Sequence, residues 1–489
     1  MKRWALFLLA SALSAKSIPQ GYTLPLPLDV FTKPTLETHF GTLTFDDGVP
    51  TPKTKEKIQN ELRYLQLSQS YFENYEAVWL EEVRRSLSLE PNKEVAWTYS
   101  PLHAKTLWPK LDPQRVYAVM LLKTNEHPIS LHTPDSLNHA VLLDSWGKKV
   151  AVLTADTNYC IISDDANLSC MQNENNDTLN TPSTPNDTTI LQEENITTEE
   201  LFSLFEDNNT TETNVTKIEQ KPTQKLSVTT HYSYLFMQFS RDTNLSKIPK
   251  TLHAKRDGNL SIALEFIDTS NRTSIALVPQ SARFFKLLHT IAQRDVASDT
   301  QSKKLRALGI QKGEPFQPKA TMRQAMQEAA VSAGVIAKNT PHLSKLKALQ
   351  ENNVSAFILQ SSDGNTTFNG ANKYTLHIAP NLGKWSVTLY DTQTKSMMQN
   401  SLEPFPYRQS DDPSLVKNED GSIDLCIAPQ LLPAFSKQNT LLSVPLKRWF
   451  AIIRFYDKSK QETEQKLFIQ PLKKSQQIEE KEDESIELY

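Results

Sequence analysis

Phe450-Ala451-Ile452-Ile453-Arg454-Phe455-Tyr456 is the stretch that decides the fold. It is apolar, rich in β-branched and aromatic residues, and carries a single charge. Successive side chains of a strand point to opposite faces, so Phe450, Arg454 and Tyr456 share one face while Phe455 takes the other. The same short apolar pattern recurs from Val354 onward, in Tyr374-Thr375-Leu376-His377-Ile378, Trp385 to Tyr390 and Ile423 to Ile427. Asp363-Gly364 and Asp420-Gly421 supply turn pairs between them. Short strands joined by polar turns predict an antiparallel β-sandwich of jelly-roll type over residues 346–474, followed by a disordered acidic tail at 475–489.

Upstream the period lengthens. Phe284 to Gln293 is amphipathic, and Thr321 to Lys338 repeats Met322, Ala325, Met326, Ala329, Ala333 and Ile336 at helical steps. Earlier still, Thr51-Pro52 is a helix start, hydroxyl cap before a proline. Ile58, Leu62, Leu65, Phe72 and Trp79 then mark one face of a helix running to about Leu89, with Glu81, Glu82, Arg84 and Arg85 on its solvated side. Val116 to Leu122, Val141 to Leu143 and Val150 to Leu153 read as strands. The chain is therefore α+β: a mixed helix and strand module in two parts, 24–166 and 226–345, ahead of the β module. Between the parts, residues 167–225 are dominated by Asn, Thr, Glu and Asp. Such a stretch buries too little surface to offset its ordering entropy, and it reads as a disordered polar insert.

Residues 1–17 have the form of a cleaved signal peptide. Lys2 and Arg3 precede an apolar run from Trp4 to Leu13, with small residues at Ala10-Ser11-Ala12 or Ala15-Lys16-Ser17. The run is too short to span a bilayer, and no later stretch of eighteen apolar residues follows, so the mature chain is expected to lack a transmembrane span. With 53 Lys and Arg against 56 Asp and Glu, the net charge of −3 argues against a nucleic-acid partner. Dinucleotide, P-loop, nucleophile-elbow, HExxH and CxxC signatures are all absent, and no cofactor is expected. Oligomeric state has no signature in the sequence.

Three blocks point to known families. Glu37-Thr38-His39-Phe40-Gly41-Thr42-Leu43-Thr44-Phe45-Asp46-Asp47-Gly48-Val49-Pro50, then Phe284-Phe285 and Leu308-Gly309-Ile310-Gln311-Lys312-Gly313-Glu314-Pro315-Phe316, resemble blocks of domain-of-unknown-function family 1254. Tyr374-Thr375-Leu376-His377, Trp385 to Asp391, Asp420-Gly421-Ser422 and Phe450 with Arg454 and Tyr456 resemble companion family 1214. The resemblance implies an exported protein with a jelly-roll C-terminal module, and it carries no established activity. Thr154-Ala155-Asp156-Thr157-Asn158-Tyr159 and Asn439-Thr440-Leu441-Leu442 depart from the families' usual blocks, which implies an altered pocket in this copy.

Four constellations could carry chemistry. His127, His132 and His139 with Asp135 are ligand types for zinc or another first-row metal, although their spacing is neither helical nor strand-like and equally suits a polar loop. Arg454 with Tyr456 could clamp a ligand carboxylate or sugar hydroxyl, or Arg454 could pair with Asp391 or Asp424. Trp385, Tyr390 and Tyr374 could stack on a sugar ring or simply fill a core. Lys312, in the Gly309–Gly313 turn, could meet an anion or stand in solvent. Cys160 and Cys170 could close a short disulfide loop, leaving Cys426 as a buried thiol. About a dozen Asn-x-Ser/Thr sequons, Asn353 and Asn365 among them, are glycan acceptors only in a eukaryotic secretory pathway. The expected function is an exported binding or accessory protein of the cell envelope or extracellular space, taking a glycan or small polar ligand. The alternative is a hydrolase-like enzyme with paired carboxylates in an inter-module cleft.

Overall fold

Thr51 caps the first helix, Pro52–Glu73, by accepting the Thr54 amide at 3.3 Å. The computed structural model describes residues 32–98, 106, 108, 110–164, 223–240, 251–256, 260–269, 275–339, 354–380, 382–456 and 468–471. The leader, Cys170, the acidic tail and all but the last three residues of the expected insert lie outside them. The expected single long helix is two, because Asn74 leaves helical geometry and its side-chain amide bonds the Ser70 carbonyl at 2.9 Å. Its buried face also differs from the sequence reading: Leu62 and Leu65 are 54% and 53% exposed. Leu67 and Tyr71 are buried instead, with Tyr71 stacked on Phe284 at 4.2 Å. In the second helix, Tyr75–Ser86, Glu81 and Glu82 are buried rather than solvated. Three further helices follow at Arg283–Arg294, Asp299–Ala307 and Ala320–Asn339.

A small antiparallel sheet at the start joins β1 (Thr35–Thr38), β2 (Gly41–Asp46) and β3 (Val49–Pro50). The next ten strands are β4 (Val95–Trp97), β5 (Arg115–Lys123), β6 (Ile129–His132), β7 (His139–Asp144), β8 (Lys149–Leu153), β9 (Asn158–Ser163), β10 (Gln224–Val228), β11 (Tyr232–Ser240), β12 (Thr251–Arg256) and β13 (Leu260–Asp268). They form one sheet in the order β10-β9-β6-β12-β13-β4-β5-β11-β7-β8. Its two ends, β10 and β8, come back into contact, so the sheet curls. Val116, Ala118, Met120 and Leu122 of β5 fill the inside of the curl, and Tyr117, Val119 and Leu121 face the helices. Burial on both sides explains why this segment reads as a continuous apolar run.

Neighbouring β9 and β10 pair parallel, with Tyr159 opposite Gln224. Parallel neighbours cannot be joined by a hairpin; they need a crossover of roughly a dozen residues or more, and roughly sixty separate these two. The polar stretch is thus the connection this pairing requires. Shortening it between residues 176 and 216 is expected to leave the melting temperature nearly unchanged. Reducing the whole connection to a tight turn should abolish cooperative unfolding in a calorimetric scan.

The C-terminal strands are β14 (Val354–Ile358), β15 (Gln360–Ser361), β16 (Phe368–Asn369), β17 (Tyr374–Ile378), β18 (Lys384–Asp391), β19 (Tyr407–Gln409), β20 (Ile423–Ala428), β21 (Thr440–Leu442), β22 (Arg448–Tyr456) and β23 (Phe468–Pro471). One sheet runs β14-β22-β18-β19 with β16 also on β22, and the other runs β15-β23-β17-β20-β21. Val387, Leu389, Ile453 and Phe455 of the first sheet and Leu376, Ile378, Leu425 and Ile427 of the second belong to one buried cluster. The pairing is not wholly antiparallel: β15 with β23 and β20 with β21 run parallel.

Glu81 anchors the helices to the curled sheet. Its carboxylate takes two bonds from Arg84, at 2.7 and 2.8 Å, and one from Arg294 at 2.7 Å; Arg294 also reaches the Tyr234 hydroxyl at 3.2 Å. Burial alone would raise the Glu81 pKa, but the two guanidinium groups hold it below the usual glutamate range. Burial raises that of neighbouring Glu82 despite its bond to Arg283. Because folding lowers the Glu81 value, its contribution is full above about pH 4.5 and drains away as pH falls through the folded value. Glu81→Gln should cost about 3–5 kcal/mol at pH 7 and flatten the acid limb of stability in urea titrations.

Candidate functional site

Alternation along β22 sends Phe450, Ile452, Arg454 and Tyr456 outward from the C-terminal core, and the register aligns them with Tyr390, Thr388, Ser386 and Lys384 of β18. Facing this surface is the segment Lys110 to Gln114 of the N-terminal module. The Arg454 guanidinium donates to the Tyr390 hydroxyl at 2.8 Å and to the Lys110 carbonyl at 3.0 Å, and its Nε lies 3.7 Å from Asp112 Oδ2. Tyr456 donates to Asp112 Oδ1 at 2.7 Å, and Tyr390 donates to the Leu111 carbonyl at 2.6 Å. With the Tyr456 proton so used, the Ser386 hydroxyl, 2.8 Å away, donates to Tyr456. Arg115 lies over the Tyr456 ring at 5.1 Å.

Arg454 is 7% exposed and Asp112 6%. Burial opposes the charge on Arg454, but the surrounding tyrosines and Asp112 hold its pKa above the ordinary arginine value. Burial, reinforced by Asp112, pushes the Tyr456 phenol well up, so its proton stays in place as a donor. Phe450, Ile452, Tyr390 and Met397 meanwhile join the cluster formed by the helices and the curled sheet. This surface is a seam between modules, and the polar atoms of Arg454, Tyr456, Tyr390 and Asp112 are bonded within the protein itself.

The partner of Arg454 is accordingly neither Asp391 nor Asp424. Asp391 is bonded by Lys447 at 2.7 Å, and Asp424 by His377 at 2.8 Å and Asn418 at 2.9 Å. Trp385 and Tyr374 are split from Tyr390: both sit in the C-terminal core, Tyr374 edge-on to Trp449 at 5.5 Å. The four expected metal ligands are not brought together. His132 on β6 lies 3.0 Å from Asn158 Oδ1 and 3.5 Å from Asp156, and His139 opens β7. No group of three or more His, Cys, Asp or Glu converges in metal-holding geometry among the described residues. Cys160 is disulfide-bonded, while Cys426 is a buried free thiol pushed up to about 12 by burial.

A second site lies on the helical side, where the Gly309–Gly313 turn lines a hollow of about 350 Å³. The turn begins as a Schellman cap of helix Asp299–Ala307. The Ile310 amide donates to the Leu305 carbonyl and the Gly309 amide to the Arg306 carbonyl, each at 2.9 Å. Gly309 takes φ 77°, a left-handed conformation that favours glycine. Gln293 fixes the far side, bonding the Gln311 carbonyl and Gly313 amide at 2.7 Å each. Arg306 and Lys312 line the hollow, and neither pairs with an acid among the described residues. Its acid, Asp295, is buried and accepts the amides of His231, Tyr232 and Val296 and the Ser145 hydroxyl.

Asp112 and Arg306 escaped the sequence reading. Asp112 had a signal in Asp112-Pro113-Gln114, since its side chain caps the Gln114 amide at 2.9 Å as an Asx turn.

Residues 353–460 match a family described as a protein of unknown function, DUF1214. The matched stretch covers β14 to β22 and so includes the seam face that β18 and β22 carry. No curated protein matches the chain. Among solved structures, the VPA0106 protein of Vibrio parahaemolyticus is similar at 12% identity and TM-score 0.42, covering 84% of this chain and all of that one. An uncharacterized protein of Burkholderia cenocepacia is similar at 8% identity and TM-score 0.35, covering 85% of this chain and 94% of that one.

Removing a single seam partner leaves the other polar groups buried without compensation. Asp112→Ala should destabilise by about 3–5 kcal/mol, and Tyr456→Phe by about 1–3 kcal/mol. In a double-mutant cycle read by urea denaturation, the pair should cost much less than the sum.

Proposed function

We propose that this chain is an exported binding or accessory protein of the cell envelope or extracellular space, acting on a glycan or other small polar ligand without catalysing its turnover. The observation that carries the reading is the disposition of charge. Arg454, Asp112 and Glu81, which are buried, and Arg294, which is mostly so, bond one another or nearby protein groups. The hollow beside the Gly309–Gly313 turn instead offers cations with no free acid. A glycosidase-type alternative needs two carboxyl groups about 5–10 Å apart on one groove. The hollow's Asp295 is occupied, and a neighbouring groove against the same helix has Glu73 as its one acid, bonded by Lys304 at 2.7 Å.

The finer features belong to the same reading. Residues 1–17 act as the cleaved leader, the N-terminal module is a relative of family 1254, and the C-terminal module is a jelly-roll sandwich. No helix among the described residues is long and apolar enough to cross a membrane.

Binding of the mature protein to glycan and lipid arrays tests the class of function. Saturable retention of one polar ligand family, with no turnover on prolonged incubation, is the expected result. Time-dependent cleavage of a retained glycan would establish the hydrolase instead.

A further inference from the structure

We infer that the hollow beside the Gly309–Gly313 turn is a binding site for a small carboxylate whose body is partly apolar. This deepens the reading above and rests on it. Three observations carry it, and the first is charge. Arg306 and Lys312 both line the hollow, one before and one after the Schellman cap in the chain, and neither has an acidic partner among the described residues. Arg306 has a structural use in the last turn of its helix, where a cation complements the dipole. Lys312, beyond the cap, has none. Asp295, the only acid in the lining, is buried and already accepts four neutral donors, so two cations face one carboxylate and the lining keeps a positive excess.

The second observation is rigidity. Gln293 holds the turn from two sides, and His289 stacks on Phe316 at 5.4 Å while its Nε2 lies 2.8 Å from the Glu314 carbonyl. The cap below fixes Leu305 and Ile310, both buried in the main cluster. A wall held this way loses little conformational freedom when it binds a ligand.

The third is shape and lining. A volume of about 350 Å³ falls at the small end of ligand sites, and Val296, Leu305 and Ile310 give one side of it an apolar character. An arginine fork matches a planar carboxylate, and a neighbouring ammonium adds charge. The Ser302 hydroxyl donates to the Ala297 carbonyl at 3.3 Å, so a lone pair stays available to a ligand hydroxyl, and Gln311 also lines the hollow. A free organic acid and the uronic-acid unit of a glycan present the same carboxylate.

Calorimetry on the full mature chain with benzoate and glucuronate, each beside its neutral amide, separates these sources. At least one acid should bind, and its amide should bind about tenfold more weakly or not at all. Arg306→Ala and Lys312→Ala, both at exposed positions, should each weaken the acid by about tenfold. Lys417→Ala in the C-terminal module should leave binding unchanged. Benzoate alone binding assigns a free acid, and glucuronate alone assigns a sugar acid. If arrays find a ligand that both variants retain, this site assignment falls and the binding reading stands. Neither acid binding overturns the inference, and silent arrays in addition overturn the binding reading as well.

Discussion

The structure depends on a buried charge finding its partner across two modules. Arg454 sits in a strand that otherwise has every reason to be apolar, and stranding a guanidinium there would be prohibitive. The fold meets the requirement with a segment 344 residues distant, from which Lys110 contributes a carbonyl and Asp112 a carboxylate. Tyr390 and Tyr456 complete the shell from the same sheet. Satisfying these groups fixes the spacing and angle between the modules, because each hydrogen bond has a narrow geometric tolerance. Apolar contacts from Phe450 and Ile452 supply attraction without direction. The polar shell supplies the register.

Such a seam changes how the chain's apparent functional residues are read. An arginine and a tyrosine on one strand face look like a ligand clamp when written as a string. Packed, they are the mortar between two bodies. The groups left uncommitted lie elsewhere, around a helix cap whose glycine is demanded by backbone geometry. Blocks that resemble a family motif therefore divide into two kinds here. Arg454 and Tyr456 bind the protein to itself, while the Gly309–Gly313 stretch shapes a surface.

Much of this was legible, and the failures have physical reasons. Helix starts and strand positions followed from capping and periodicity, as Thr51 and the β22 alternation show. The need of Arg454 for an acid was also legible, since one charge in an apolar run demands compensation. Which acid it meets was not, because sequence periodicity carries no information about a partner so remote. Leu62 and Leu65 gave the right helix and the wrong face, since the choice of face depends on what packs alongside. Parallel pairing of β15 with β23 was equally hidden, as alternation looks the same in either direction.

The curl of the ten-stranded sheet has one more consequence. In an open sheet the outermost strands expose rows of amides and carbonyls that recruit foreign chains. Here β8 and β10, though not hydrogen-bonded to each other, come into contact, which narrows the approach to both edges. For this sheet, the shape of the backbone itself works against amyloid-like self-templating.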